Sequence, residues 1–377
     1  MIPLVAAVIG AALIVRPWED EVLPTMRPSQ RPELVRSLSV DFATITDPDT
    51  DWGEVDDRFD SVGATAAELS AGRVEFTAFD WAEHPEDAAE PGTDHLAKAA
   101  RALVQTADGE PRQLGLIVDA YVPEWIKEDP SIAGVSADGR RSAYQASATQ
   151  LTTGAVGRRL VDYVAALGER YDPASISITE LFLSSSFGDD DLELFEEMTG
   201  QTGWPRTATG ELDPDAPSVT AWRSAVVSGV LQRMRAALDR VRDGDGAAIE
   251  LAMDVRVNWG DPAAGVPASG HGYRSLLRAA DLLVVWAYLY QDRPPSAVRR
   301  LTSGLIAGGL DISRFAVSVG LWADGPNDDP REAITPARMA AAVRAAGANG
   351  VTNVNVTPYS LMTAEHWKAL AWVWQGS

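Results

Sequence analysis

The chain of 377 residues contains no cysteine, which excludes disulfides, thiolate metal sites and cysteine nucleophiles. Histidine is nearly as scarce. The four present are His84, His95, His271 and His366, and no H-x-x-x-H or related ligand spacing joins them, so no metal site and no cofactor is implied. His84 and His271 fall in loops that follow strands, where a substrate could pass. Basic residues are few, 32 Lys and Arg against 54 Asp and Glu, for a formal net charge of -22. Nucleic acid and anionic lipid are held by clustered Lys and Arg, so neither is expected as a partner, and a neutral or cationic ligand fits better. The sequence also lacks G-x-x-x-x-G-K-[ST], G-x-G-x-x-G after a strand, and a G-x-S-x-G elbow. P-loop, dinucleotide and nucleophile-elbow chemistry are thereby set aside.

Long apolar runs are missing except at the start, where residues 2–15 are interrupted only by Pro3 and Gly10. As a helix this run spans about 21 Å, short of the roughly 30 Å hydrocarbon core, and no basic region precedes it. Arg16 and a Pro-rich stretch over 17–32 follow. Residues 1–16 therefore read as a signal or anchor segment and 17–34 as a linker, with the folded domain over 35–377. That places the domain outside the cytoplasm, secreted or held to the membrane by this segment alone. A buried N-terminal helix of a cytosolic protein is the alternative.

What is present is a regular alternation. Eight β-type runs recur at 37–44, 73–81, 114–125, 175–184, 249–258, 281–288, 314–322 and 351–359. Between several of them lie Ala/Arg/Leu-rich stretches of helical period, at 54–69, 96–106, 142–168, 220–242, 336–346 and 364–374. Strand and helix alternate as βα units, so the expected fold is α/β, a (β/α)8 TIM barrel in one domain. Three loops, 80–94, 124–141 and 185–219, are long enough to shape a cleft.

A closed parallel barrel carries its chemistry at the C-terminal tips of its strands. The tips here are Asp41, Asp80 with Trp81, Asp119 with Tyr121, Glu180, Asp254, Trp286 with Tyr288, Trp322, and Asn355 with Tyr359. Isolated carboxylates are costly at positions next to a packed core, and several acids around one rim point to a site. Glu180 follows the alternating run Ser175-Ile-Ser-Ile-Thr and precedes apolar Leu181 and Phe182. Partial desolvation there raises a carboxyl pKa toward neutrality, as a general acid requires. A structural acid paired with an Arg is the alternative. The acids Asp189 to Asp191 suit a solvated first turn of a helix.

The stretch from Asp172 through Met198, a strand ending in an acid, then Leu-Phe-Leu-Ser and clustered acids before a helix, resembles barrel hydrolase-like domains acting on bacterial exopolysaccharides. These include the C-terminal hydrolase domain of poly-N-acetylglucosamine-processing proteins and the wider family-10-like glycosyl hydrolases. The resemblance implies a glycoside hydrolase with its acid at Glu180. Where such domains carry paired aspartates after a His, this chain has Thr179 and Glu180, so the family's substrate and mechanism do not carry over.

Glycoside hydrolysis uses a second carboxylate, about 5 to 5.5 Å away in retaining enzymes and about 6.5 to 9.5 Å in inverting ones. The seventh strand, where the large barrel clan places its nucleophile, reads Val317-Ser-Val-Gly-Leu-Trp322, without an acid before Asp324. Asp254 is the first candidate, being on the strand next to Glu180. Asp119 follows, then Asp41, with Asp324 as an outlier. Aromatic side chains at Trp81, Tyr121, Trp125, Trp286, Tyr288, Trp322 and Tyr359 can stack on pyranose faces. Twelve tryptophans exceed what a cleft needs, and Trp367, Trp372 and Trp374 are expected to pack the last helix on the barrel. Asp41, Asp80, Trp81, Tyr121, Trp286, Tyr288, Trp322, Asn355 and Tyr359 form the expected sugar-binding set. Asn258 and Asn353 could also bind hydroxyls, or serve turns. The expected substrate is a cell-envelope or extracellular polysaccharide. Two alternatives stay open: a polysaccharide-binding barrel without catalysis, and a metal-dependent hydrolase in which Asp41, Asp119 and Asp254 converge on one ion.

Overall fold

The computed structural model describes residues 23–26, 32–241, 248–290, 292–324 and 332–376. Eight strands run parallel: β1 (Val35–Val40), β2 (Ala66–Arg73), β3 (Gln113–Asp119), β4 (Ser175–Thr179), β5 (Glu250–Val255), β6 (Leu282–Trp286), β7 (Phe315–Gly320) and β8 (Asn353–Thr357). Each pairs with its sequence neighbours, and β1 pairs with both β2 and β8, closing the barrel. The structure is thus the closed α/β barrel that the alternation implies.

Seven of the eight expected runs overlap a barrel strand through most of its length. The second does not. Barrel strand β2 is Ala66–Arg73, partly within the expected helix over 54–69, and beyond Arg73 the run 73–81 contributes only the short Phe76–Thr77, antiparallel to the end of β2. The strand reads AAELSAGR, and its core face consists of Ala67, Leu69 and Ala71. Alanine carries a period of two poorly, because it also suits helices, whereas Val74 and Phe76 have high β propensity. The helix itself is Trp52–Val62, capped by Asp51, whose side chain accepts from the amides of Gly53 and Glu54.

The core lies between strands and helices. Helix Ala155–Tyr171 buries Val156, Leu160, Tyr163, Val164, Leu167 and Tyr171, a stripe at helical spacing. Trp81 packs at 5.1 Å from the Tyr163 ring and is almost wholly buried; burying a side chain of this size contributes on the order of 2 to 3 kcal/mol. On the last helix, Ala364–Gln375, Trp367 and Trp374 face the barrel as expected, but Trp372 is 68% exposed under the Arg344 guanidinium.

Residues 1–16, the expected signal or anchor segment, lie outside the described residues. Within the segment read as a linker, Met26 is fully buried and its carbonyl accepts from the Leu114 amide at 2.8 Å, at the N-terminal end of β3. No helix among the described residues is long and apolar enough to cross a membrane.

Inside the barrel the strands present small polar side chains. Ser37, Ser39, Ser70, Ser175, Ser177, Thr179, Ser318 and Asn355 line the lumen, with Ala252, Leu282, Val284 and Ala316 as an apolar patch apart from the main core. Bulky aliphatic layers usually fill such a lumen. Here the small side chains leave it continuous with the opening above.

Candidate active site

A cleft of about 1080 Å³ opens at the C-terminal ends of the strands and reaches down the lumen. Its centre is Glu180. The residue follows β4 directly and holds a left-handed backbone at φ 58°, a conformation that costs a non-glycine residue about 1 kcal/mol or more and tends to persist where surroundings enforce it. Two contacts hold the segment that follows it. The Leu183 amide donates to the Ser269 carbonyl at 3.1 Å, and His271 clamps the Leu181 carbonyl at 3.0 Å through Nε2. His271 Nδ1 accepts from the Arg256 amide at 2.9 Å, so Nε2 carries the proton. Burial lowers the His271 pKa to about 4, and the ring stays neutral.

Burial raises the Glu180 pKa to about 7. A hydrogen bond from the Tyr121 hydroxyl and the Arg256 charge oppose that rise, while the negative charges of Asp119 and Asp254 add to it. Asp119, at the tip of β3, is raised to about 6, again chiefly by burial, against the Tyr121 amide at 2.8 Å and the Arg73 charge. Its side chain keeps 31% of its surface open to water, so the elevation reflects an enclosing cleft rather than complete desolvation. Asp254 on β5 is also raised by burial. Its Oδ1 accepts from Ser177 Oγ at 2.7 Å, its Oδ2 from Trp286 Nε1 at 3.1 Å, and Thr179 adds a further side-chain hydrogen bond.

Aromatic rings line one wall. Trp286 stacks on Tyr288 at 5.6 Å with planes 11° apart, and Tyr288 meets Trp322 at 5.0 Å. The Tyr288 ring lies across Gly320, where a Cβ would come within 2.3 Å of the ring; only glycine leaves room. On the other side of Glu180, Tyr121 meets Tyr144 at 4.6 Å, and Tyr144 remains 44% exposed at the mouth.

The structure brings together most of the residues singled out in the sequence. Glu180, Asp254, Asp41, Tyr121, Trp286, Tyr288, Trp322 and Asn355 line the cleft, and Asp119 stands beside it against Arg73 and Tyr121. Asn355 has a different part from the one expected. Its Oδ1 accepts from Ser39 and Ser318, and its Nδ2 donates to Ser37 at 2.9 Å, so it ties β1, β7 and β8 together across the lumen. Three expected sugar-binding residues stand elsewhere. Asp80 and Trp81 lie beyond the real end of β2, with Trp81 buried against Tyr163. Tyr359 turns outward to Phe59, Trp367 and Arg58. Trp125 likewise packs on the core, beside the Arg159 guanidinium. Nor are Asp189 to Asp191 all solvated: Asp191 is buried and accepts from the Thr149 amide and hydroxyl.

Sequence reasoning missed Arg73, Tyr144, Arg256, Trp259 and Arg293, all on the cleft wall, and the clamp at His271. Arg256 could have been found, since it lies two residues past Asp254 on a strand tip. Among the described residues the grouping with ligand atoms close enough for one ion is His84, Glu86 and Asp87, where Arg159 already pairs with Asp87 at 2.5 Å. Asp41, Asp119 and Asp254 form no such grouping, so these three oxygens do not fit a single ion.

The fold is a TIM barrel whose C-terminal rim gathers carboxyl groups and aromatic rings. No protein-family model and no curated protein matches the chain. Among solved structures it is similar to the PgaB (BpsB) glycoside hydrolase domain from Bordetella bronchiseptica, at 14% identity, TM-score 0.64, over 90% of this chain and 98% of that one. The beta-galactosidase of the haloarchaeon Halorubrum lacusprofundi gives 12% identity and TM-score 0.67 over 91% of this chain and 58% of that one. A beta-galactosidase from Marinomonas ef1 gives 13% and 0.64 over 91% and 59%. This chain therefore spans the bacterial domain almost completely and a little over half of each galactosidase. At these identities the likeness shows the fold.

Proposed function

We propose that the protein is a glycoside hydrolase acting on a bacterial cell-envelope or extracellular polysaccharide. One observation carries this reading: a carboxyl group near pKa 7, held in a left-handed backbone at a strand tip, faces an aromatic-walled cleft in company with two further carboxyl groups. Glu180 is the general acid. A group that titrates near the working pH can be protonated and still give its proton to a departing glycosidic oxygen. Asp254 is the second carboxylate, base or nucleophile, with both oxygens oriented by Ser177, Thr179 and Trp286. Asp119 is the charge that helps keep Glu180 protonated. Tyr144, Trp286 and Trp322 supply faces for sugar rings. The apolar segment 2–15 supports an extracytoplasmic site of action, secreted or anchored by that segment.

A second reading rests on the tip of β7. Gly320, Leu321 and Trp322 stand there without a carboxylate, and the space is given to the Tyr288 ring. That favours a barrel that binds polysaccharide and leaves it intact.

The test is reducing-end release from a panel of bacterial polysaccharides by the wild-type chain and by Glu180→Gln. Release that disappears in the variant supports hydrolysis and its acid together. Binding without release in either protein supports the second reading, and equal release by both removes Glu180 from the chemistry.

A further inference from the structure

Arginines away from the cleft show how this fold uses a guanidinium. Arg112 bonds the Ala64 and Leu103 carbonyls and pairs with Asp56 and Asp60. Arg223 reaches Ser186 Oγ and the Ala268 carbonyl. Arg314 takes the carbonyls of Leu277, Ala280 and Asp281, and Arg338 those of Leu289 and Arg293. Each is held by protein acceptors, though Arg223 Nη2 is left without one; bonding of this kind offsets the cost of burying a cation.

Arg256 and Arg293 differ. Both line the cleft. Arg256 lies 3.8 Å from the centroid of Phe182, and Arg293 lies 4.4 Å from that of Trp259. Each guanidinium is thus seated on a ring, yet among the described residues neither donates a side-chain hydrogen bond or makes an ion pair within 4.0 Å; the polar contacts of both residues are through the backbone. Arg73, the third arginine of the cleft, is served by Glu75 at 3.5 Å and Asp119 at 3.9 Å. Stacking occupies the faces of a guanidinium and leaves its five N–H donors around the edge, a planar fork that matches a carboxylate in bidentate fashion.

We infer that Arg256 and Arg293 form a carboxylate-binding subsite, and that the polysaccharide cut here carries uronic-acid residues. The inference rests on the glycoside hydrolase reading for the position of the sugar chain. Arg256 follows Asp254 on β5 and Arg293 follows β6, so both stand on the arc of the rim that carries Trp286. All three line one cleft, so a sugar chain bound there shares it with both guanidinium groups. The net charge of -22 suggests a neutral or cationic ligand for the molecule as a whole; the cleft departs from that locally. Apart from Glu180, its carboxyl groups are Asp41 at the tip of β1, Glu68 and Glu250 in the body of the lumen, and Asp254 bonded to Ser177 and Trp286. Glu180, on which the Arg256 charge acts, is neutral when it serves as the proton donor.

The experiment uses matched ligands: glucuronate-, galacturonate- and mannuronate-containing hexasaccharides, and the same hexasaccharides with each carboxyl reduced to a primary alcohol. Binding is read by calorimetry and cutting by reducing-end release, with the full chain, Arg293→Met and Arg256→Met. Methionine keeps an apolar stem over the ring. The expected result is at least about tenfold tighter binding of one uronate form than of its reduced twin, equal to about 1.4 kcal/mol, with that ratio falling toward one in both variants. A variant that is merely less stable keeps the ratio. Equal binding of both forms, tighter binding of the reduced form, or binding of none overturns the inference. If neutral polysaccharides are cut without any preference, the hydrolase reading stands and the subsite falls; if uronates are preferred but never cut, the subsite stands and the hydrolase reading falls.

Discussion

Two arcs of the barrel rim are built from similar strands and do different things. From β3 to β5 the tips carry Asp119, Glu180 and Asp254, and burial raises all three pKa values. From β7 through β8 to β1 the inward polar groups include Ser318, Asn355, Ser37 and Ser39, which bond to one another. These four side chains of the second arc are therefore satisfied by one another, and their hydrogen bonds join β7, β8 and β1 across the lumen. The first arc keeps Asp119, Glu180 and Asp254 enclosed, where burial outweighs the hydrogen bonds and charges that would hold them ionised. Chemistry is expected where burial opposes the charge of a carboxyl group, because a proton there has more than one place of nearly equal free energy.

The largest test of this contrast is Glu180→Gln. We expect kcat/KM to fall by about 10²- to 10⁴-fold, the usual worth of a positioned proton donor, measured by steady-state hydrolysis. Gly320→Ala is next. It drives a methyl group into the Tyr288 ring, and overpacking of this kind costs about 1 to 3 kcal/mol, so both the melting temperature and kcat/KM should fall, the latter by roughly tenfold if the aromatic wall positions substrate. Asp119→Asn acts more gently. It removes a negative charge that raises the Glu180 pKa, so the alkaline limb of kcat/KM, expected near pH 7 in the wild type, should move to lower pH while activity at pH 5 changes little.

A stability measurement sharpens the same point. The folded Glu180 holds its proton up to about pH 7, against about 4.5 for an ordinary glutamate. Its contribution is therefore fully present below about pH 4.5 and is lost as pH rises through 7. Glu180→Gln should melt a few degrees higher than wild type at pH 8, and the difference should shrink toward pH 4. On the far side of the comparison, Tyr359→Phe removes only the contact with Arg58 outside the cleft, and activity should stay within about twofold.

How much of this the sequence disclosed depended on residue size. Strands such as Leu282–Trp286 and Phe315–Gly320 are marked by Val, Leu and Phe, and their tips, with Trp286 and Trp322, fell where the alternation put them. Strand Ala66–Arg73 is marked by alanine and serine, and its disguise moved the expected tip to Asp80 and Trp81, which are packed away behind it. Glu180 was legible because an acid after a five-residue alternation has no core role. The outward turn of Tyr359 was not, since it depends on where helix Trp52–Val62 lies. Neither was the clamp made by His271, because its two partners, Leu181 and the Arg256 amide, come from other strand tips. Contacts between distant segments leave no local pattern to read.

The most direct test of the central claim needs no substrate. Selective ¹³C labelling of glutamate side chains, with Glu180→Gln to assign the signal, gives the titration of the Glu180 carboxyl in the intact chain. The account predicts a midpoint near pH 7; a midpoint near 4.5, like that of a surface glutamate, would contradict it.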